Sequence, residues 1–368
     1  MKILHLADIH LDRPFAGLRA EARARRRSQL YDAFTRCLTL AEERGADLIT
    51  IGGDLWEHEH LTRDTLNSVV FELGEVDRPV LIICGNHDPL VAGSGYLLAD
   101  WPKNVRVVRT SRPELHEFGD VAIWGVSWTG GDLSSDFLDE FTVPVDGRTH
   151  VLLLHGTSGP LAYLAEDVAC TFQAEQVRRA GFARCLAGHI HVGADDGTIV
   201  YPGSPEPLRW NETGRHCAAL LTVGEGNVDV ELLDVNQFRV EEREIDCGGC
   251  LSSAELERRV ARNLDHGDAE HVYLCVSLVG EVGADCTVDT GRLVNLHGSY
   301  AGVTAEDRTA PLLEIDGRAE RQGLDGLFVR KMQERLQAAD EDQQRTLQLA
   351  LEAGLRAIDG RERILYVD

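Results

Sequence analysis

Five short stretches of this chain carry residues able to bind metal, four of them with glycine: Asp8-Ile9-His10, Gly53-Asp54, Gly85-Asn86-His87-Asp88, His155-Gly156 and Gly188-His189-Ile190-His191. Five of the 14 histidines fall inside them. In an extended backbone, side chains two residues apart point the same way, so Asp8 with His10 and His189 with His191 can each grip an ion from one side. Carboxylate, amide oxygen and imidazole, with no thiol among them, suit Mn²⁺ first and Fe²⁺ or Zn²⁺ as alternatives. The glycines at 52, 53, 85, 156 and 188 permit the tight turns and close approach that such a site requires. One such fragment alone has a duller reading, because a lone strand histidine is more often a satisfied core residue and a lone aspartate a helix cap. That reading suits His5 and His150. It does not suit five endings in one chain.

Each stretch closes a short apolar run: Ile3–Ala7, Leu48–Ile51, Val80–Cys84, Val151–Leu154 and Cys185–Ala187. Runs of this length ending in glycine or a polar residue predict buried strands. Residues 19–44 and 61–76 carry helical spacing between them, so roughly the first 210 residues predict an α/β region. In an open α/β sheet the carboxyl ends of the strands line the ligand crevice, which would bring the five endings together. Val121–Trp124, Thr198–Tyr201, Cys217–Val223 and Val228–Leu233 are enough for a second sheet. The Gly- and Ser-bearing segment Asp246–Ser253 predicts a linker. Beyond it lie a strand over Val272–Val279 and a helical pattern over Leu324–Ile358. The expected plan is a catalytic domain over 1–245, a two-sheet β-sandwich core flanked by helices, and a small α/β cap with closing helices over 246–368.

The totals fit that plan. At 368 residues the chain is long for one domain, and a 43% hydrophobic share is ordinary for a full-sized core. No stretch approaches a membrane span, and the opening reaches Asp8 without the apolar run of a signal peptide, so the expected location is cytoplasmic, with no membrane. Nine cysteines, odd in number and scattered, are not a secreted disulfide framework. The one local pair, Cys247-Gly248-Gly249-Cys250, has only Cys275 and Cys286 as further zinc candidates, and two reduced thiols are the expectation. A balance of 37 basic against 61 acidic residues gives a net charge of −24, which argues against a free-standing DNA-coating protein. It does not exclude DNA cleavage. Exposed charges are screened beyond roughly 8 Å, and two bound divalent cations would reverse the sign inside a cleft.

In order and wording the five stretches resemble the motifs D-x-H, G-D, G-N-H-D/E, H and G-H-x-H of the calcineurin-like metallophosphoesterase superfamily. The resemblance covers about residues 1–210. Leu4-His5-Leu6-Ala7-Asp8-Ile9-His10-Leu11-Asp12, Ala46-Asp47-Leu48-Ile49 and Tyr201-Pro202-Gly203-Ser204-Pro205 further resemble the SbcD-type DNA-repair exonucleases, nuclease subunits that pair with an SMC-like ATPase. One departure is Glu57, where an aspartate is usual; it is expected to keep an acidic residue behind the ligands. The resemblance implies two divalent cations. Asp8, His10 and His191 would hold one, Asn86, His155 and His189 the other, and Asp54 would bridge them. A metal-bridged hydroxide would attack phosphorus in line. His87 would stabilise the transition state or protonate the leaving oxygen, with Asp88 orienting its ring.

Other residues carry weaker signals. The run Arg23-Ala24-Arg25-Arg26-Arg27 predicts a solvated helix face rather than a DNA contact. Arg13 and Arg209-Trp210 lie nearer the predicted crevice, where Arg could hold a phosphate; Trp210 could stack on a base or pack against the cap. A solvated loop is the expectation for His58 and His60. The function expected first is a DNA-repair exo- or endonuclease whose partners are DNA and an SMC-like ATPase, with a homodimer left open. A phosphoesterase acting on a small-molecule phosphodiester or phosphomonoester is the rival. A docking scaffold for the ATPase, with vestigial catalysis, ranks last because the ligand set is complete.

Overall fold

The apolar runs become strands because both of their faces are covered. The computed structural model describes residues 1–359 apart from 17, 132, 166–167, 225–226, 265–268, 284–285, 296–299, 314 and 316. Its chain opens with β1 (Lys2–Leu6), α1 (Ala20–Glu43), β2 (Leu48–Gly52), α2 (Arg63–Glu75), β3 (Val80–Ile83), α3 (Gly95–Leu98) and β4 (Val105–Val107). These four strands pair in parallel, and β2 and β3 are buried along their whole length, so they read as unbroken apolar runs. A second sheet follows from β5 (Glu114–Phe118), β6 (Val121–Val126), α4 (Phe137–Glu140), β7 (Thr149–His155), α5 (Ala174–Arg179), β8 (Arg184–Gly188), β9 (Ala194–Asp195) and β10 (Ile199–Tyr201). Its order is β5-β6-β7-β8-β10-β9. The chain then returns through β11 (Cys217–Val223), antiparallel to β1, and β12 (Val228–Asp234), giving the first sheet the order β12-β11-β1-β2-β3-β4.

Period-2 alternation divides each strand between two cores. Ile3, Leu48, Leu81 and Ile83 of the first sheet meet Val121, Ile123, Val151, Leu153 and Leu186 of the second inside the sandwich. Leu4, Leu6, Ile49 and Ile51 turn outward under Leu30, Phe34 and Leu38 of α1 and Leu66, Val69 and Leu73 of α2. On the far face of the second sheet, Leu152, Leu154, Cys185 and Ala187 pack with Val177 and Phe182. This is the expected α/β, two-sheet core flanked by helices.

The division of strands between the sheets differs from the sequence expectation. The five metal-binding endings do not line one open sheet: β1, β2 and β3 belong to one, β7 and β8 to the other. Two of the runs expected in a separate second sheet, now β11 and β12, extend the first. An apolar run reports burial but not which neighbour it pairs with. The polar edge strand β5 and the three-residue β4 gave no such run at all.

The chain divides into two compact units, Met1–Glu241 with His271–Tyr273, and the remainder. In the second unit the elements are β13 (Arg239–Asp246, which begins in the first), α6 (Ser253–Leu264), β14 (Val272–Val279, whose first two residues also belong to the first), β15 (Glu281–Val282), α7 (Thr290–Asn295), β16 (Gly302–Asp307), β17 (Ala310–Pro311), α8 (Leu324–Ala338) and α9 (Glu341–Ile358). Sheets β13-β14-β16 and β15-β17 accompany a helical pair whose core is Leu313, Val329, Met332, Leu351 and Leu355. The single helical pattern expected over 324–358 breaks at Asp340, whose carboxylate caps α9 by accepting from Gln343 N at 2.9 Å. Among the described residues no helix is long and apolar enough to cross a membrane.

His5 shows what a core histidine looks like in this fold. It is fully buried, with Nε2 3.1 Å from Ala187 O and Nδ1 3.0 Å from Thr50 Oγ1. A carbonyl only accepts, so Nε2 carries the proton, Nδ1 accepts from the hydroxyl, and the ring is neutral. Burial pushes its pKa down from 6.5 to about 4. The unfolded chain therefore takes up this proton first; the contribution to stability is complete above pH 6.5 and is lost as pH falls toward 4. Chemical denaturation at pH 7 and pH 5 should show His5→Asn, though weaker at pH 7, to be about 2 kcal/mol less sensitive to the acid step than the parent chain.

Candidate metal centre

The centre sits at and just beyond the strand ends: His155 closes β7. β1 stops at Leu6 and β8 at Gly188, yet the candidate ligands follow in left-handed backbone: Asp8 has φ 54°, His10 50°, Asp54 53° and His189 101°. Non-glycine residues avoid this region at a cost of order 1–3 kcal/mol each, and such outliers cluster at functional sites. The expectation that Asp8 and His10 converge by strand alternation is therefore corrected. They converge through successive tight turns, held by Asp8 N donating to Gly53 O at 3.1 Å, His10 N to Asp54 O at 2.9 Å and Leu11 N to Leu55 O at 3.0 Å. The glycines leave room for this. A Cβ on Gly53 would lie 2.6 Å from His155 Nδ1, and one on Gly85 would run into Asp54 Oδ1.

A buried carboxylate ties the loops together. Asp88 accepts from Gly85 N at 2.6 Å, Asp54 N at 3.1 Å, Leu55 N at 2.6 Å and the Tyr96 hydroxyl at 2.6 Å. Turns that leave their strands expose amides that must find acceptors once buried, and Asp88 supplies them. It is not beside His87. The ring of His87 rests its Nδ1 on Glu57 Oε2 at 3.1 Å, so Glu57 takes the orienting role expected of Asp88.

All seven predicted ligands come together. Asp54 Oδ2 lies 3.5 Å from His10 Nε2 and 3.4 Å from His155 Nε2. Asn86 Oδ1 is 2.8 Å from His155 Nε2 and 3.2 Å from His189 Nδ1. The Asp8 carboxylate accepts from His189 N at 2.9 and 3.0 Å, and His191 faces His10 edge-on at 5.1 Å between ring centres. Among the described residues three groups have donor atoms all within 4.8 Å of one another: Asp8/His10/His191, Asp8/Asp54/His155 and His10/Glu57/His87.

These residues fit a divalent cation. His10 Nδ1 is anchored on Glu57 Oε1 at 3.0 Å, while its Nε2 is buried with no hydrogen-bond partner. His191 Nδ1 is anchored on Glu212 Oε1 at 2.8 Å, and His155 Nδ1 on Gly52 O at 2.8 Å. An imidazole with one nitrogen fixed by a carboxylate or carbonyl and the other turned to a carboxylate cluster is oriented as metal-binding histidines are. The electrostatics agree. Burial pushes the Asp8 carboxyl up to about 6 against the pull of His155 and His191. Burial also pushes Asp54 upward, but the imidazoles of His155, His10 and His87 outweigh it and hold the carboxyl well below its usual range. Such a cluster releases protons when a cation takes their place.

Several residues behave in ways the sequence did not signal. Glu212, behind His191, also accepts from Leu208 N at 2.6 Å and lies in no local motif. Trp128 donates its indole proton to His155 O at 3.0 Å. Arg23 and Arg25 are exposed as expected, but Arg26 is buried between the rings of Phe15 and Tyr273, 4.9 and 4.4 Å from their centres, and bonds Gln29 and Pro207 O. The solvated-face reading fails there, because α1 turns that one position inward. Trp210 packs edge-on to Tyr273 at 5.6 Å. Arg13 pairs with Glu57 at 3.1 Å; His58 is half-buried and His60 exposed. The nine cysteines are free thiols, and among the described residues none joins a group able to hold a metal.

A family model described as calcineurin-like phosphoesterase matches residues 1–193. The chain is similar to an uncharacterised metallophosphoesterase of Bacillus subtilis, YhaO, at 26% identity over 295 residues, spanning 76% of this chain and 71% of that protein. It is similar to the DNA double-strand break repair protein Mre11 of Methanopyrus kandleri at 25% identity over 357 residues, 86% of this chain and 75% of that one. The protein of the same description from Haloferax volcanii is 25% identical over 287 residues, 76% of this chain and 62% of its own length.

If Glu57 and Glu212 orient His10 and His191, Glu57→Gln and Glu212→Gln should each weaken Mn²⁺ binding by about 10–100-fold in titration calorimetry. Parental affinity in both variants would remove that role.

Proposed function

Because the chain belongs to the calcineurin-like phosphoesterase family, we propose that it is a two-metal phosphodiesterase whose substrate is DNA, a repair exo- or endonuclease working beside an SMC-like ATPase. The observation that carries the chemistry is the buried cluster in which Asp8, His10 and His191, and Asp8, Asp54 and His155, bring their donor atoms within 4.8 Å of one another, with His10 Nε2 making no hydrogen bond. The choice of DNA rests on the relatives described as DNA double-strand break repair proteins.

In this reading Asp8, His10 and His191 would hold one cation, Asn86, His155 and His189 the other, and Asp54 would serve both. Mn²⁺ is the first choice, with Fe²⁺ and Zn²⁺ as alternatives. Two divalent cations would acidify a water and neutralise charge on the phosphoryl oxygens. The chain's own residues orient and exchange protons. His87, with its side chain 38% exposed at the rim, keeps Nδ1 on Glu57 and leaves its other nitrogen for a leaving oxygen. The hydrogen bond to Glu57 raises its pKa to about 9 against the opposing effect of burial, which favours the protonated ring that would donate to that oxygen. Residues 1–245 form the nuclease domain in this proposal, and 246–368 the cap whose closing helices α8 and α9 dock the ATPase. Nine free thiols suit a cytoplasmic setting.

The net charge of −24 favours a second reading, a phosphoesterase for a small phosphodiester or phosphomonoester that needs no polyanion at its surface. A labelled duplex with Mn²⁺ separates the two: nucleotides are released in the first reading, and only a small ester is hydrolysed in the second. Asp54→Ala should lose metal and turnover together. His87→Ala should keep both cations by anomalous scattering while turning over about 10²–10⁴-fold more slowly. An Asp54→Ala chain that still cleaves would sink the mechanism.

A further inference from the structure

Within the first unit a cavity of about 660 Å³ opens between the loop after β4 and the loop after β6. β4 runs parallel to β3, whose end leads to Asn86, and β6 runs parallel to β7, which ends at His155. Asn86 and His155 meet at 2.8 Å, so the cavity lies along the edge that carries the candidate metal centre.

Its base is fixed. Ser127 N donates to Thr110 O at 2.9 Å, Ser127 Oγ to Val108 O at 2.8 Å, and Cys84 N to Ser127 Oγ at 3.0 Å. Trp128 continues the seam: its N donates to Cys84 O at 3.1 Å, its O accepts from Leu90 N at 2.7 Å, and its indole reaches His155 O. The two loops part at the next residues, Ser111 and Thr129, and there the cavity begins.

The lining has two chemistries. Leu133, Phe137 and Phe141 supply an apolar and aromatic wall, whereas Arg112, Asp136 and Glu140 supply charge. Among the described residues none of those three charged side chains has a hydrogen-bond or ion-pair partner. Nearby acids are committed: Asp139, next to Glu140, is held by Arg179 and by Gln176 at 2.9 Å, and Asp146 by Arg148. Two exposed carboxylates disfavour a phosphate there, and a bare cation has no use for an aromatic wall. A planar ring bearing N–H and O–H donors satisfies both, lying on the Phe137 face and donating to Asp136 and Glu140, with Arg112 left for a flanking phosphate. The volume lies within the roughly 300–1,000 Å³ usual for small-molecule sites.

We propose that this cavity is a nucleoside subsite, holding the base and sugar of a nucleotide whose neighbouring phosphate lies at the metal centre. The inference rests on the phosphodiesterase reading but not on DNA, because a nucleoside in a polymer and one in a small diester carry the same groups.

The test uses the full chain with Mn²⁺ and two substrates, the p-nitrophenyl ester of deoxycytidine monophosphate and bis(p-nitrophenyl) phosphate, which has no nucleoside. The ratio of their kcat/KM values should fall about tenfold in an Asp136→Asn/Glu140→Gln double variant, whose changes are on the surface, and in Phe137→Ala. A double variant that keeps the parental ratio overturns the subsite, whatever the absolute rates. Should the chain hydrolyse neither ester, the phosphodiesterase reading fails separately, and equilibrium dialysis of deoxycytidine decides the subsite. Saturable binding weakened about tenfold in the double variant supports it; no saturable binding at about 10 mM refutes it.

Discussion

Three aspartates, Asp8, Asp54 and Asp88, lie buried within a few residues' reach of one another, and the first unit is arranged around that charge. Carboxylates out of water are expensive unless each oxygen is matched. Asp88 is matched by backbone amides and a tyrosine hydroxyl, which turns its charge into a clasp on two loops and α3. Asp54 is matched by imidazoles from both sheets, and Asp8 by the His189 amide and its neighbours. The two sheets must therefore bring their strand ends to one edge, because neither alone carries enough nitrogen to balance the acids.

A second ring of acids sits behind the first. Glu57 and Glu212 hold the outer nitrogens of His10 and His191, and Gly52 O does the same for His155. Glu57 serves His10, Arg13 and His87 together. One side chain thus links a candidate ligand, a cation and a candidate proton donor.

The candidate ligands were legible in sequence because their signal is local: a short apolar run closed by a donor, in four of the five cases beside a glycine. His5 and His150 were rightly set apart, each having both ring nitrogens bonded within the fold. Whatever depended on distant pairing was not legible. β11 and β12 joined the first sheet because β1 offered them an edge, a fact absent from their own residues. Glu212 lies 21 positions from His191, and no spacing announces it. Arg26 looked like its exposed neighbours because its burial depends on Phe15 and Tyr273 arriving from elsewhere. The partner of His87 was misread for a related reason: adjacency along the chain suggested Asp88, and the turn directed the ring to Glu57 instead.

The left-handed turns at Asp8, His10, Asp54 and His189 bear on how such a chain would age in evolution. At each position glycine or asparagine suits the backbone better than the residue present, so local conformational preference and metal binding pull in opposite directions. A descendant retained only for its architecture would drift toward those easier residues here while its sandwich core stayed intact. Loss of the catalyst would leave behind a sturdier protein of the same shape.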